Sequence, residues 1–138
     1  MKVLLADDHA LVRAGLRLIL AEIEPDCAVI EASDGREAIQ VATQQQPELC
    51  LLDITMPGLN GIDALPLLLA AAPRMRVLML SMHASREYVA QCLRRGAQGY
   101  LVKDSAMDEL ADAIKAMRQG RPYKIGRASC RERVLVAV

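Results

Sequence analysis

Tryptophan and phenylalanine are absent from these 138 residues, and three tyrosines supply the whole aromatic content of 2%, although 53% of the chain is hydrophobic. Neither charge is in excess, with 17 Lys and Arg against 17 Asp and Glu. A chain so balanced does not bind nucleic acid or anionic membrane by bulk charge alone. No apolar run reaches the roughly 18 to 20 residues that span a bilayer. The opening Met1-Lys2-Val3-Leu4-Leu5-Ala6-Asp7-Asp8 turns acidic too early for a secretory signal, so a cytoplasmic protein without a membrane role is expected. Cys27, Cys50, Cys92 and Cys130 form no CxxC or CxxH pair, which removes the spacing signature of a zinc site or a disulfide framework. They read as small buried hydrophobes. Nothing is collagenous or disordered in composition, and the length suits one domain with a real core.

What is present is a repeated alternation. Five short apolar runs, at residues 2–6, 27–31, 49–52, 76–80 and 98–102, are separated by longer amphipathic stretches. That order predicts an α/β domain, a doubly wound parallel sheet made of five βα units with right-handed crossovers. Val12, Leu16, Ile19, Leu20 and Ile23 recur at helical spacing and predict one buried stripe on the first helix. Asp34 with Glu37 predicts an N-cap and capping box ahead of Ala38, Ile39 and Ala42. Ser105 and Asp108 repeat the device for the last helix, where Met107, Leu110, Ala111, Ile114 and Met117 are expected inward. The third helix, after Asn60-Gly61, contains Pro66, which lacks an amide hydrogen and predicts a late start or a kink. A fourth is expected from about residue 85 to 95, with Val89, Cys92 and Leu93 inward and Gly96 as its stop.

In a doubly wound sheet the ligand site lies beyond the carboxyl ends of the strands. There the first run is followed by Asp7-Asp8, the third by Asp53, the fourth by Ser81 and the fifth by Lys103. Taken singly, each is a solvated turn residue, a helix cap or a surface lysine. Their joint placement at one sheet edge is what points to a site. Three carboxylates gathered there repel one another unless a cation neutralises them, and a hard, oxygen-preferring ion such as Mg²⁺ is the natural candidate. Lys103 and Ser81 can then hold the oxygens of a phosphoryl group while a carboxylate attacks phosphorus. Asp53 is the best nucleophile, because the loop Ile54-Thr55-Met56-Pro57-Gly58-Leu59-Asn60-Gly61 after it supplies turn residues and exposed backbone. The Thr55 carbonyl can complete the metal shell.

These residues resemble the receiver domain of two-component response regulators, most closely the NarL/FixJ (LuxR-type) group. The resemblance rests on Leu4-Leu5-Ala6-Asp7-Asp8-His9 with Val12-Arg13, on Leu51-Leu52-Asp53-Ile54-Thr55-Met56-Pro57-Gly58-Leu59-Asn60-Gly61, on Leu80-Ser81, and on Gly96-Ala97-Gln98-Gly99-Tyr100-Leu101-Val102-Lys103. It covers residues 1 to about 123. It implies a flavodoxin-like sheet of order 2-1-3-4-5, Asp53 as phosphoacceptor, and Mg²⁺ held by Asp7, Asp8, Asp53 and the Thr55 carbonyl. It further implies that Ser81 and Lys103 bind the phosphoryl group and that Tyr100 is the switch aromatic, turning into space the Ser81 hydroxyl vacates. The partners implied are a sensor histidine kinase, a second copy through the face of the fourth helix, fifth strand and fifth helix, and DNA only through a further C-terminal domain. Such a protein is no enzyme beyond catalysing its own phosphorylation and dephosphorylation.

Many receivers follow the lysine with proline, whereas Asp104 stands here. His9 follows a subgroup pattern without chemical necessity. His83, two past Ser81, is expected to tune the access of water rather than to act as a base. Two other functions compete. A phosphatase of the haloacid dehalogenase type needs a second aspartate two residues after the nucleophile, where Thr55 stands. A stand-alone or degenerate receiver would act by protein contact alone.

The chain divides into a receiver at 1–120 and a stretch at 121–138. Residues 125–138 lack any helical or strand period and look like adapter read-through appended to the start of a linker, the rival being a basic linker with a short strand at 134–138. The family's helix-turn-helix domain is expected to follow in the natural gene, making this a truncated read. Without residues 125–138, 14 basic residues face 16 acidic ones, and the apparent neutrality becomes a mild acidic excess.

Overall fold

The computed structural model describes residues 1–82 and 85–119, with the backbone alone at 104–107, 117 and 118. His83 and the whole of 121–138 therefore lie outside the described residues. The chain alternates β1 (Lys2–Ala6), α1 (Ala10–Ile23), β2 (Ala28–Ala32), α2 (Gly35–Gln45), β3 (Leu49–Asp53), α3 (Gly61–Ala71), β4 (Arg76–Ser81), α4 (Arg86–Arg94), β5 (Gly99–Val102) and α5 (Lys103–Arg118). All neighbouring strands are parallel, in the order β2-β1-β3-β4-β5. This is the expected doubly wound sheet. The second strand starts one residue late, because the Ala28 amide donates to the Met1 carbonyl at 2.8 Å while the Cys27 amide is held in the turn by Glu24 at 3.0 Å.

Period-two alternation divides the sheet between two cores. Leu4, Ala6, Cys50, Leu52, Val77, Met79 and Tyr100 face α2, α3 and α4. Val3, Leu5, Leu49, Leu51, Leu78, Leu80 and Leu101 face α1 and α5. Since both faces are covered, the strands read as continuous apolar runs rather than alternating ones. The α1 stripe is as expected, with Leu16 and Leu20 buried and Val12, Ile19 and Ile23 packed at its margin. Cys50 and Cys92 are buried, and burial pushes both thiols up, Cys92 to about 11, which keeps them protonated.

Helix starts follow the caps with two corrections. Asp34 accepts from the Glu37 amide at 2.8 Å, but Glu37 Oε1 accepts from the Ser33 amide at 2.7 Å, so the box closes one residue earlier than expected. The last helix begins at Lys103, not after Ser105. A proline at 104 would have pushed Lys103 out of the helical region, and Asp104 leaves it free to enter. In α5 Leu110, Ala113, Ile114 and Ala116 are buried, while Ala111 faces out. The side chains of Met107 and Met117 lie outside the described residues.

Pro66 does not delay α3. Asn60 caps it by accepting from the Asp63 amide at 2.9 Å, the helix runs from Gly61, and Pro66 sits at its sixth position. The missing proline hydrogen leaves the Ile62 carbonyl, four residues back, without its helical donor. Arg95, the C-cap of α4, takes that place: its Nη1 donates to the Ile62 oxygen at 3.0 Å and to Asp63 Oδ1 at 3.2 Å. Arg95→Ala should therefore destabilise the protein by about 1 kcal/mol, and by far less in a Pro66→Ala background whose new amide supplies the donor. A double-mutant cycle in urea measures this. Equal losses in both backgrounds would show that Arg95 does not act through the carbonyl.

Candidate functional site

The chain leaves β1 for β2 on one side and returns to β3 on the other, so a crevice opens beyond the ends of β1 and β3. Asp7 follows β1, Asp53 closes β3, Ser81 closes β4, and Lys103 follows β5 as the first residue of α5. Lys103 reaches back across the crevice. Its Nζ lies 2.9 Å from Asp7 Oδ2 and 3.1 Å from Asp53 Oδ2, and the three side chains are 8%, 0% and 2% exposed. The remaining oxygens are held by backbone. Asp53 Oδ1 accepts from the Thr55 amide at 3.3 Å and Asp7 Oδ1 from the His9 amide at 2.8 Å. Arg13 donates to the Asp7 carbonyl and, at 2.8 Å, to Glu31 Oε1, which ties α1 to this end of the sheet.

The loop after Asp53 folds over the site at a position that only glycine fits. The Gly61 amide donates to the Ile54 carbonyl at 2.7 Å, and a Cβ at Gly61 would stand 2.1 Å from the Asp53 carbonyl oxygen and 2.9 Å from Ile54 Cα. Both obstacles are backbone and cannot yield cheaply. The expected residues Asp7, Asp8, Asp53 and Lys103 are thus brought together, and Thr55 reaches the group through its amide. Ser81 and Tyr100 are a separate pair. Tyr100 is fully buried and hydrogen-bonded to the Ser81 hydroxyl; burial pushes its phenol up to about 12 against that bond. His9, set aside on the sequence, belongs to the cluster: its Nδ1 lies 3.2 Å from Asp7 Oδ1 and 3.1 Å from Asp8 Oδ1. Its position directly after the acidic pair was the available signal.

The electrostatics are lopsided. Burial and the neighbouring Asp7 charge raise the Asp53 carboxyl to about 6, against the pull of Lys103 and the Thr55 amide. Burial alone would lower the Lys103 ammonium, but its bonds to Asp7 and Asp53 and their charges raise it above its usual value. One ammonium thus serves two buried carboxylates, with Asp8 beside them. Asp7, Asp8, His9 and Asp53 each offer a ligand atom, all within 4.8 Å of one another. A carboxylate-dominated set with unbalanced negative charge fits a hard divalent cation.

The family model described as the response regulator receiver domain matches residues 3–115. The chain belongs to the response regulator receiver family. As a receiver it is 38% identical over 124 residues to the transcriptional regulatory protein DegU of Brevibacillus brevis, covering 89% of this chain and 52% of that protein. It is 36% identical over 123 residues to the response regulator UvrY of Escherichia coli, covering 89% and 56%. A two-component response regulator of the LuxR family from Aurantimonas has the same fold at a TM-score of 0.81 and 35% identity, with 88% of this chain and 87% of that one covered. This receiver spans about half the length of the curated relatives it matches. Among its described residues no helix is long and apolar enough to cross a membrane.

The raised Asp53 carboxyl has a consequence for stability. Between its unfolded value of 3.8 and its folded value of about 6, the native receiver binds more protons at Asp53 than the unfolded chain, so this group's contribution to stability falls as pH rises through that window. With chelator present, Asp53→Asn should be more stable than the parent at pH 7.5 by about 2 kcal/mol, the gap closing towards pH 4. Urea unfolding at both pH values reads it. A gap that is absent, or the same at both, would contradict the raised carboxyl.

Proposed function

We propose that this receiver is a phosphorylation-dependent switch in which Asp53 accepts a phosphoryl group from a phosphohistidine of a sensor histidine kinase. The observation that carries the reading is the Lys103 ammonium bridging Asp7 and Asp53 at the ends of three strands. An Asp53 oxygen bonds to phosphorus as the bond from phosphorus to the donor imidazole breaks, leaving an acyl phosphate and a free histidine. Lys103 holds a phosphoryl oxygen and offsets its charge. Asp7, Asp8, Asp53 and the Thr55 carbonyl would hold Mg²⁺, which when bound would neutralise charge gathered on the phosphoryl oxygens. The family is one of signalling proteins, and the only turnover assigned to this chain is phosphorylation and hydrolysis at Asp53.

Ser81 links the site to the surface. A phosphoryl group on Asp53 competes for the hydroxyl that now bonds Tyr100, and Tyr100 belongs to the same buried cluster as Val89, Cys92 and Ala97 of the α4 region. Loss of that bond alters the α4, β5 and α5 face, which partners read, a second copy of the chain among them. The names of DegU and MctR as transcriptional regulatory proteins suggest the output: in the whole protein, a cytoplasmic regulator, the switch controls a DNA-binding domain beyond residues 1–120. The phosphatase alternative is disfavoured, since exposed Thr55 stands where such an enzyme places its acid.

Incubation with acetyl phosphate and Mg²⁺ should give a base-labile phosphoryl adduct by mass spectrometry. It should be lost in Asp53→Asn and in EDTA, and slowed in Lys103→Met. An adduct that survives Asp53→Asn, or forms undiminished in EDTA, would overturn the assignment.

A further inference from the structure

The chain enters α1 through His9, whose backbone is extended (φ −97°, ψ 109°) and whose side chain makes no cap to the helix. It is turned back over the acidic pair instead. The hydrogen bond that the His9 backbone amide donates to Asp7 Oδ1 fixes the turn, and Nδ1 stands at nearly equal distances, 3.2 and 3.1 Å, from oxygens of Asp7 and Asp8. One Nδ1–H shared between the two oxygens makes a three-centre hydrogen bond, each branch of which is bent and weakened. The same three atoms also suit a shared cation. Adjacent ligands on a six-coordinate ion with bonds of about 2.1 Å lie about 3.0 Å apart, close to both separations. The ring is 59% exposed, so it is not held there by packing.

We propose that His9 is a direct ligand of the divalent ion at this site, through Nδ1 with the proton on Nε2, and that it shifts the site's preference from Mg²⁺ towards first-row transition ions. Imidazole adds little for Mg²⁺, which is satisfied by oxygen and keeps its waters, and much for ions from Mn²⁺ to Ni²⁺ and Zn²⁺. A receiver so equipped binds a transition ion when one is present, and His9 sets which metal accompanies Asp53. The inference rests on reading Asp7, Asp8 and Asp53 as the metal site.

The test uses the full chain without a polyhistidine tag. Calorimetric titration with Ni²⁺ and with Mg²⁺ should show His9→Ala weakening Ni²⁺ by about tenfold or more and Mg²⁺ by less than about twofold. Because the His9 side chain caps nothing, the variant should fold, which its unfolding midpoint verifies. With Mn²⁺ as probe, pulsed electron paramagnetic resonance should show nitrogen coupling in the parent and in His83→Ala but not in His9→Ala. A His9→Ala variant that gains affinity for both ions would identify the imidazole as a counter-ion competing with metal, and unchanged affinities without nitrogen coupling would remove it from the site; either overturns the proposal. Asp8→Asn separates the two levels. If it leaves Mg²⁺ binding intact, the metal-site reading itself fails, whereas loss of binding there with a silent His9→Ala leaves that reading standing and sinks the role of His9.

Discussion

The arrangement turns on one buried ammonium. Lys103 crosses from the start of α5 to two carboxylates that the sheet delivers side by side, and all three groups are almost without solvent. Charges taken out of water destabilise a fold unless they are paired with good geometry. The pairing here is incomplete by one charge, for Asp7 and Asp53 share a single cation with Asp8 nearby. The receiver thus carries a standing electrostatic deficit at the sheet edge proposed to take a metal and a phosphoryl group, and the Asp53 carboxyl is raised there by its burial and then by the Asp7 charge. A site fully neutralised by its own side chains would have no such appetite for a divalent ion.

Such a deficit persists only because the surroundings do not relax around it. Both faces of the sheet are packed, so the strand ends cannot drift apart. The turn after Asp53 is pressed against the strand so closely that Gly61 admits no side-chain atom. On the far side of α3, Arg95 occupies the carbonyl that Pro66 leaves open and ties α3 to the end of α4. Helices that flank the site are therefore joined to each other as well as to the sheet. Ser81 closes β4 beside the buried Tyr100, which belongs to the same core as Val89 and Cys92 of α4.

Much of this was legible in the sequence because it depends on local pattern and on the topology that pattern implies. Five apolar runs became five strands, and a charged or hydroxyl residue after four of them became one edge of the site. The Asp34 cap behaved as local chemistry dictates. The features that could not be read depend on contacts between distant residues. The start of α5 at Lys103 is set by the way the chain leaves β5, not by the Ser105 cap signal. Pro66 is tolerated because of an arginine some thirty positions away. His9 has no periodic or capping role, and only the turn onto Asp7 and Asp8 reveals where its ring goes. Ala111 and Ala113 are indistinguishable by composition, and the position of α5 against α1 and the sheet decides which is buried.

The proposed switch depends on Lys103 being the partial counterweight to two buried carboxylates. Carbon-13 NMR titration of the Asp53 carboxyl in metal-free protein measures this directly. A midpoint near 6 that climbs further in Lys103→Met is the predicted result. A midpoint near the ordinary 3.8, indifferent to the loss of Lys103, would contradict it.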